Sequence, residues 1–372
     1  MMSVTKGLEG IVAATSSISS IIDGVLTYRG YDIDNLADNA SYEEVAYLLW
    51  YGKLPNATEL ANLHQQLSDY APIPEFVLEL LRLTPKDANS MAALRTAVSG
   101  LALADSEAND MNEEANIRKA IRLQAQLPTI IAAFARIREG KEPVAPKKNV
   151  SVAHNFLYML TGKEPEAIAI EALDKALVLH ADHELNASTF AARVTVATLS
   201  DIYSGVTSAI GALKGPLHGG ANEAVMAMLE DIGSEDNVDS YIKNQLDNKK
   251  KIMGFGHRVY KNGDPRAKHL QRMSKELGKI TGNMKWYNMS IQIEEIVTGS
   301  KGLKPNVDFY SASVYTSLEI PRDLFTPIFA ISRLSGWTAH ILEQFTDNRL
   351  IRPRAEYVGP TNQHYVAIEK RS

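Results

Sequence analysis

Apolar residues three and four positions apart recur along most of this chain. They run through Tyr42 to Trp50 (YEEVAYLLW), Phe76 to Leu83, Met91 to Leu103 and Arg118 to Arg138. That spacing gathers apolar side chains onto one stripe of a helix. Residues 10 to 33, GIVAATSSISSIIDGVLTYRGYDI, break the pattern. They are rich in β-branched residues, Ser and Gly, which predicts short strands or an irregular hairpin. The segment 140 to 149, GKEPVAPKKN, reads as a polar, Pro-containing connector. From Ala167 to Leu213 the chain is mostly apolar and ends in FAARVTVATLSDIYSGVTSAIGAL. A helix apolar on every side is a central, buried one. A more polar region follows from Gly219 to Ser313, and then a second apolar helix from Pro327 to Phe345. The tail from Asn348 reads as extended.

Strands and helices do not alternate, so the pattern predicts an all-α fold rather than a doubly wound sheet. Two apolar helical regions flank a polar one. This predicts a large discontinuous domain (1–218 and 314–372) and a smaller inserted domain (219–313), with ligands bound in the cleft between them. The chain has 372 residues, enough for two cores.

Composition narrows the possibilities. Charged residues make up 22% and apolar residues 45%, with a net charge of −5. No global basic surface invites nucleic acid or an anionic membrane. The absence of cysteine excludes thiolate chemistry, disulfides and Cys-ligated metal. No window reaches about eighteen uninterrupted apolar residues, the length of a membrane span. The N-terminus lacks a basic stretch followed by an apolar run, so a cytoplasmic location is expected.

Five stretches combine residue types that carry chemistry. In KGPLHGGANEAV, His218 lies between a proline turn and two glycines, just before helix-forming residues. A helix N-terminus favours neutral imidazole, which can donate to a carbonyl becoming an enolate. The plain alternative is a capping histidine. In MGFGHRVYKNGDPRAK, glycines 254 and 256 bracket Phe255, and His257 and Arg258 follow. Residues 243 to 268 hold eight Lys and Arg against two Asp, a local charge of +6. Such a patch suits an anionic, phosphate-bearing ligand, or it is a solvated helix end. In PNVDFYS, Asp308 follows a Pro-Asn turn and is either an N-cap or a desolvated base. In HADHELN, His180 and His183 are three residues apart. The pattern lacks a third metal ligand, and hydrogen bonding to a polar ligand is the alternative. Arg333 interrupts an apolar run, and Arg266 and Arg352 lie in GDPRA and IRPRAEY. Three arginines brought together would suit a dicarboxylate; apart, they are structural ion pairs.

Taken together, KGLEGIVAATSSIS, LTYRGYDI, LHADHELNAS, GALKGPLHGGANEAV, IMGFGHRVYKNGDPRAKHL, PNVDFYSASVY and LIRPRAEY resemble citrate synthase along nearly the whole chain, closest to its short bacterial form. The resemblance implies a two-domain multi-helical fold and a Claisen-type condensation of acetyl-CoA with oxaloacetate. Acetyl-CoA is then a co-substrate, and neither cofactor nor metal is implied. Asp308 resembles the base, His218 the donor to the thioester carbonyl and His257 the acid at the oxaloacetate ketone. His183, Arg266 and Arg333 match the family's oxaloacetate-binding residues. Arg352 matches an arginine given across a homodimer interface. Lys250, Lys251, Gly254, Gly256 and Arg258 lie where the family holds CoA. The few residues before KGLEG are expected to favour the dimer over the NADH-inhibited hexamers, whose N-terminal region is longer. Two rival readings share the motifs: 2-methylcitrate synthase, which takes propionyl-CoA, and a non-catalytic CoA- or dicarboxylate-binding protein.

Overall fold

The computed structural model describes residues 6–8, 10–257, 259, 260 and 262–371. Arg258 therefore lies outside the described residues. The chain begins with a three-stranded antiparallel sheet, β1 (Ser19–Ile22), β2 (Val25–Tyr28) and β3 (Tyr31–Asp32), in the order β1-β2-β3. Ser19 pairs with Tyr28, and Ile21 with Leu26. The hairpin expected between residues 10 and 33 is present.

Helices then account for the fold. The first seven are α1 (Ile33–Asn39), α2 (Tyr42–Tyr51), α3 (Ala57–Tyr70), α4 (Glu75–Leu83), α5 (Ser90–Ala104), α6 (Glu113–Arg138) and α7 (Val152–Thr161). The next three are α8 (Ala167–His180), α9 (Ala187–Val196) and α10 (Ile202–Leu213). Then come α11 (Ala221–Ile232), α12 (Val238–Asp247), α13 (Ala267–Thr281), α14 (Lys285–Lys301), α15 (Val307–Ser317) and α16 (Phe325–Thr346). The periodic segments of the sequence coincide with α2, α4, α5, α6 and α16. Their starts are set by local chemistry: Ser41 and Asn56 form capping boxes with Glu44 and Glu59. No helix among the described residues is long and apolar enough to cross a membrane.

One expectation needs correction. The apolar stretch from 167 to 213 is not one central helix but three. Its apolar content hides two helix starts. The Asn186 side chain accepts from the Thr189 N–H, and the Asp201 side chain from the Ser204 N–H. Each cap satisfies an otherwise orphaned backbone donor and opens a new helix. The break at 181–186 matters because it releases His183 from the end of α8.

α16 is the central element, buried along nearly its whole length and packed on α2, α6, α8, α9 and α10. At Gly336 it runs so close to the loop after α8 that a Cβ would overlap the Ala181 carbonyl oxygen and the Asp182 carboxylate. Helices α11 to α15 pack mainly on one another, and α13 and α15 lean on α8.

Candidate active site

The candidate residues converge on the C-terminal end of α8. Arg333, 2% exposed on α16, donates from Nε to the His180 carbonyl at 2.7 Å. Its guanidinium stacks on Phe329, 4.8 Å from the ring centre. The same ring lies 6.2 Å from that of His218. Arg266, 3% exposed at the start of α13, reaches the Leu179 carbonyl at 3.5 Å. Its fork pairs with Asp264, Nε to Oδ1 at 2.9 Å and Nη2 to Oδ2 at 2.8 Å. His183 Nε2 is 3.1 Å from the Tyr260 hydroxyl, and its ring is 5.2 Å from that of His257. His183, His218, His257, Arg266 and Arg333 thus share one region, although 150 residues separate the first from the last.

His218 sits in the turn between α10 and α11, two residues before the Gly220 cap, as the sequence predicts. Its backbone N–H donates to the Gly215 carbonyl at 2.9 Å. Its Nε2 faces Ser188, 2.7 Å from Oγ and 3.3 Å from the backbone nitrogen. Because that N–H can only donate, Nε2 is the acceptor and the neutral ring carries its hydrogen on Nδ1. Ser188 is itself held by Trp337, whose Nε1–H donates to Oγ at 3.0 Å. In His257 the roles are reversed. Its Nδ1 accepts the Val259 and Tyr260 N–H groups at 3.1 and 3.3 Å, which leaves the hydrogen on Nε2.

For Asp308 the structure removes one of the two alternatives. Asp308 is not the N-cap of α15. Asn306 is, and its side chain accepts the Asp308 N–H at 3.1 Å. Asp308 stands in the first turn, with its carboxylate free of that duty. The segment before it pairs with the glycine loop: Gly256 N–H donates to Lys304 O, and Asn306 N–H to Gly254 O, both at 2.9 Å. Gly254 has φ +80°, and a Cβ there would meet Phe309 and Val225 at 2.8 Å. Only glycine allows this approach. Asp264 Oδ2 also accepts the Val307 N–H at 3.0 Å, which ties Arg266 to the helix that carries Asp308.

Burial sets the charge states. Desolvation pushes the half-buried Asp308 carboxyl up to about 6, against the opposing pull of Arg266 and Arg333. Desolvation, then Arg333, brings His218 down to about 4. His183 falls well below the ordinary value through desolvation, Arg266 and Arg333, and His257 falls through desolvation and Arg266. At neutral pH all three rings are uncharged. Arg333, lowered by desolvation to about 10, stays charged.

Two groups of candidates stand apart. Lys250 and Lys251 are exposed beside the glycine loop. Arg352 is exposed on the tail and lies outside this cluster within the single chain. Among the described residues no group of three or more His, Asp or Glu is arranged to hold a metal. Sequence reasoning overlooked Ser188, Tyr260, Asp264 and Trp337. Asp264 had a local signal, two residues before Arg266 in GDPRA. Ser188 and Trp337 had none, because their role depends on α9 and α16 meeting at His218.

A sequence model described as "Citrate synthase, C-terminal domain" matches residues 7–354. The chain belongs to the citrate synthase family. It is 64% identical over 372 residues to Citrate synthase 2 of Bacillus subtilis, covering 100% of both chains. It is 44% identical to 2-methylcitrate synthase 2 of Corynebacterium glutamicum, covering 99% of this chain and 98% of that one. Its structure superposes with a TM-score of 0.93, at 36% identity, on the ternary complex of citrate synthase from Thermoplasma acidophilum with carboxymethyl coenzyme A and oxaloacetate, covering 99% of this chain and 100% of that one. The chain is therefore a condensing enzyme of the transferase class, and the reading of a non-catalytic binding protein is set aside.

Proposed function

We propose that this enzyme condenses acetyl-CoA with oxaloacetate and water to give citrate and CoA. The observation that carries the reading is a desolvated carboxyl, Asp308, on the helix that Asp264 ties to Arg266, in a site whose neutral histidines have tautomers set by backbone donors. A thioester α-carbon is a weak acid. Asp308 removes its methyl proton, and burial makes the carboxylate basic enough for the task. The enolate oxygen then needs a donor, and His218 Nδ1–H supplies it. The enol carbon attacks the oxaloacetate ketone, whose oxygen takes a proton from His257 Nε2. Water cleaves the resulting citryl thioester. His183, Arg266 and Arg333 hold oxaloacetate, the arginines by matching its carboxylates.

CoA is held by the loop around Gly254 and Gly256, with Lys250, Lys251 and Arg258 near its phosphates. The segment 219–313 acts as the smaller domain and closes over the cleft to exclude water. The enzyme works in the cytoplasm as a homodimer in which Arg352 enters the partner's site. The exposed Tyr357, Val358 and Tyr365 of the tail support that contact. Likeness to a 2-methylcitrate synthase over the full length keeps propionyl-CoA as a second reading, since one methyl group is only modestly discriminated. The higher identity to a citrate synthase favours acetyl-CoA.

The test follows free thiol on mixing enzyme, oxaloacetate and either acyl-CoA; a chain without cysteine adds no background. Faster release with acetyl-CoA supports the first reading, and faster release with propionyl-CoA the second. In His218→Ala, turnover near wild type would remove the donor role.

A further inference from the structure

His183 has an unusual mounting. The residue after it, Glu184, has φ +50°, a left-handed conformation that a Cβ disfavours. Strain of this kind persists where neighbours over-determine the backbone. Here the neighbours are one strand pair from the far N-terminus. The Glu184 N–H donates to Ser19 Oγ at 2.9 Å. Glu184 Oε1 accepts the Ile21 N–H at 2.7 Å, pairing a donor on an edge strand. On the other side of His183, the Asp182 N–H donates to the Tyr28 hydroxyl oxygen at 3.2 Å, and that hydroxyl donates back to the Asp182 carbonyl at 3.0 Å. The Asp182 carboxylate accepts from the Ser19 hydroxyl and from His340 Nε2, the latter at 3.2 Å. Ser19 and Tyr28 are register partners, so one rung of the hairpin grips both flanks of His183.

We propose that Glu184 is a positioning residue: with Ser19 and Tyr28 it clamps the strained loop so that the His183 imidazole is preset to meet oxaloacetate before the substrate arrives. This rests on the reading of His183 as an oxaloacetate ligand. The clamp residues do not touch His218, which hangs from Ser188; the loop reaches Ser188 through Asn186, which donates to the His183 and Glu184 carbonyls at a long 3.4 Å and accepts from Ser188 Oγ at 2.8 Å. Losing it should therefore harm one substrate selectively, because a loop that must be ordered on binding weakens the ligand it serves.

The experiment measures oxaloacetate affinity by calorimetry, together with the KM of each substrate, in Glu184→Ala, Glu184→Gln, Tyr28→Phe and His183→Ala. Glu184→Ala should raise the Kd and KM for oxaloacetate about ten- to a hundredfold, as misplacement of a binding group does. The acetyl-CoA KM should stay within about twofold. Glu184→Gln keeps an oxygen for the Ile21 N–H and should recover most of the loss. Tyr28→Phe should repeat the selective defect. Equal rises in both KM values, no rescue by Gln, or unchanged oxaloacetate affinity in both Glu184→Ala and Tyr28→Phe would overturn the clamp. If His183→Ala weakens oxaloacetate while neither Glu184→Ala nor Tyr28→Phe does, the clamp alone fails. If His183→Ala leaves oxaloacetate affinity intact, the ligand role fails with it.

Discussion

The two walls of the site are built by opposite means. The wall of α8, α16 and the hairpin carries His183 and Arg333. Its helices are held by close packing, so close at Gly336 that no side chain fits, and the hairpin pins the His183 loop to them. The wall carrying His257 and Asp308 is irregular. Two short segments, 254–256 and 304–306, pair through backbone hydrogen bonds, with glycines 254 and 256 at positive φ. Packing suits the wall that must hold permanent charge away from water. On the proposed function, backbone pairing suits the wall that must bring a base against a long ligand and let it go. Asp264 joins the two, since it accepts from both Arg266 and the first turn of α15.

Substitutions can break this comparison, and the base should weigh most. Asp308→Asn keeps the shape and removes the proton acceptor, and kcat should fall about 10²- to 10⁴-fold in the thiol-release assay. On the packed wall, Arg333→Gln should act on binding. The KM for oxaloacetate is expected to rise by about two orders of magnitude, the effect of losing a buried charge-assisted fork worth about 2–3 kcal/mol. A fall in kcat alone would contradict a binding role.

The two glycines sharpen the contrast. Gly336→Ala overpacks a rigid junction and should cost about 1–3 kcal/mol of stability, read by denaturant unfolding. Gly254→Ala should cost a comparable or smaller amount, about 1–3 kcal/mol of local strain, but harm the acyl-CoA KM more than Gly336→Ala does. If both variants lost stability and activity in the same ratio, the two walls would not differ as argued.

The smallest effect concerns pH. As the proposed base, Asp308 would have to be ionised to act, so kcat/KM should climb as pH rises through about 6 and then level. The same shift has a cost in stability. The folded carboxyl holds its proton more tightly than the unfolded one, whose pKa is about 3.9. Its contribution therefore favours folding at low pH and is lost as pH rises from about 4 through about 6. Asp308→Asn should raise the thermal midpoint at pH 7 by about 1–3 °C, and the gain should vanish below about pH 4.

The sequence by itself determined the helical class, the N-terminal hairpin, the position of His218 ahead of a helix and the identity of the chemically able side chains. These are local properties: periodicity, caps, turn residues and residue type act within a few positions of one another, and motif order carries the family. It misjudged the stretch from 167 to 213, because apolar content masked the Asn186 and Asp201 caps, and by local pattern alone it left Asp308 open between a cap and a base; Asn306 occupies the cap. Only the tertiary structure decided that Arg266 and Arg333 meet at the end of α8 and that Ser188 sets the tautomer of His218. It alone decided that a rung of the hairpin grips the loop of His183 from more than 150 residues away. The reason is physical. Charge state and orientation depend on which groups share a desolvated volume, and that volume exists only after the elements have packed.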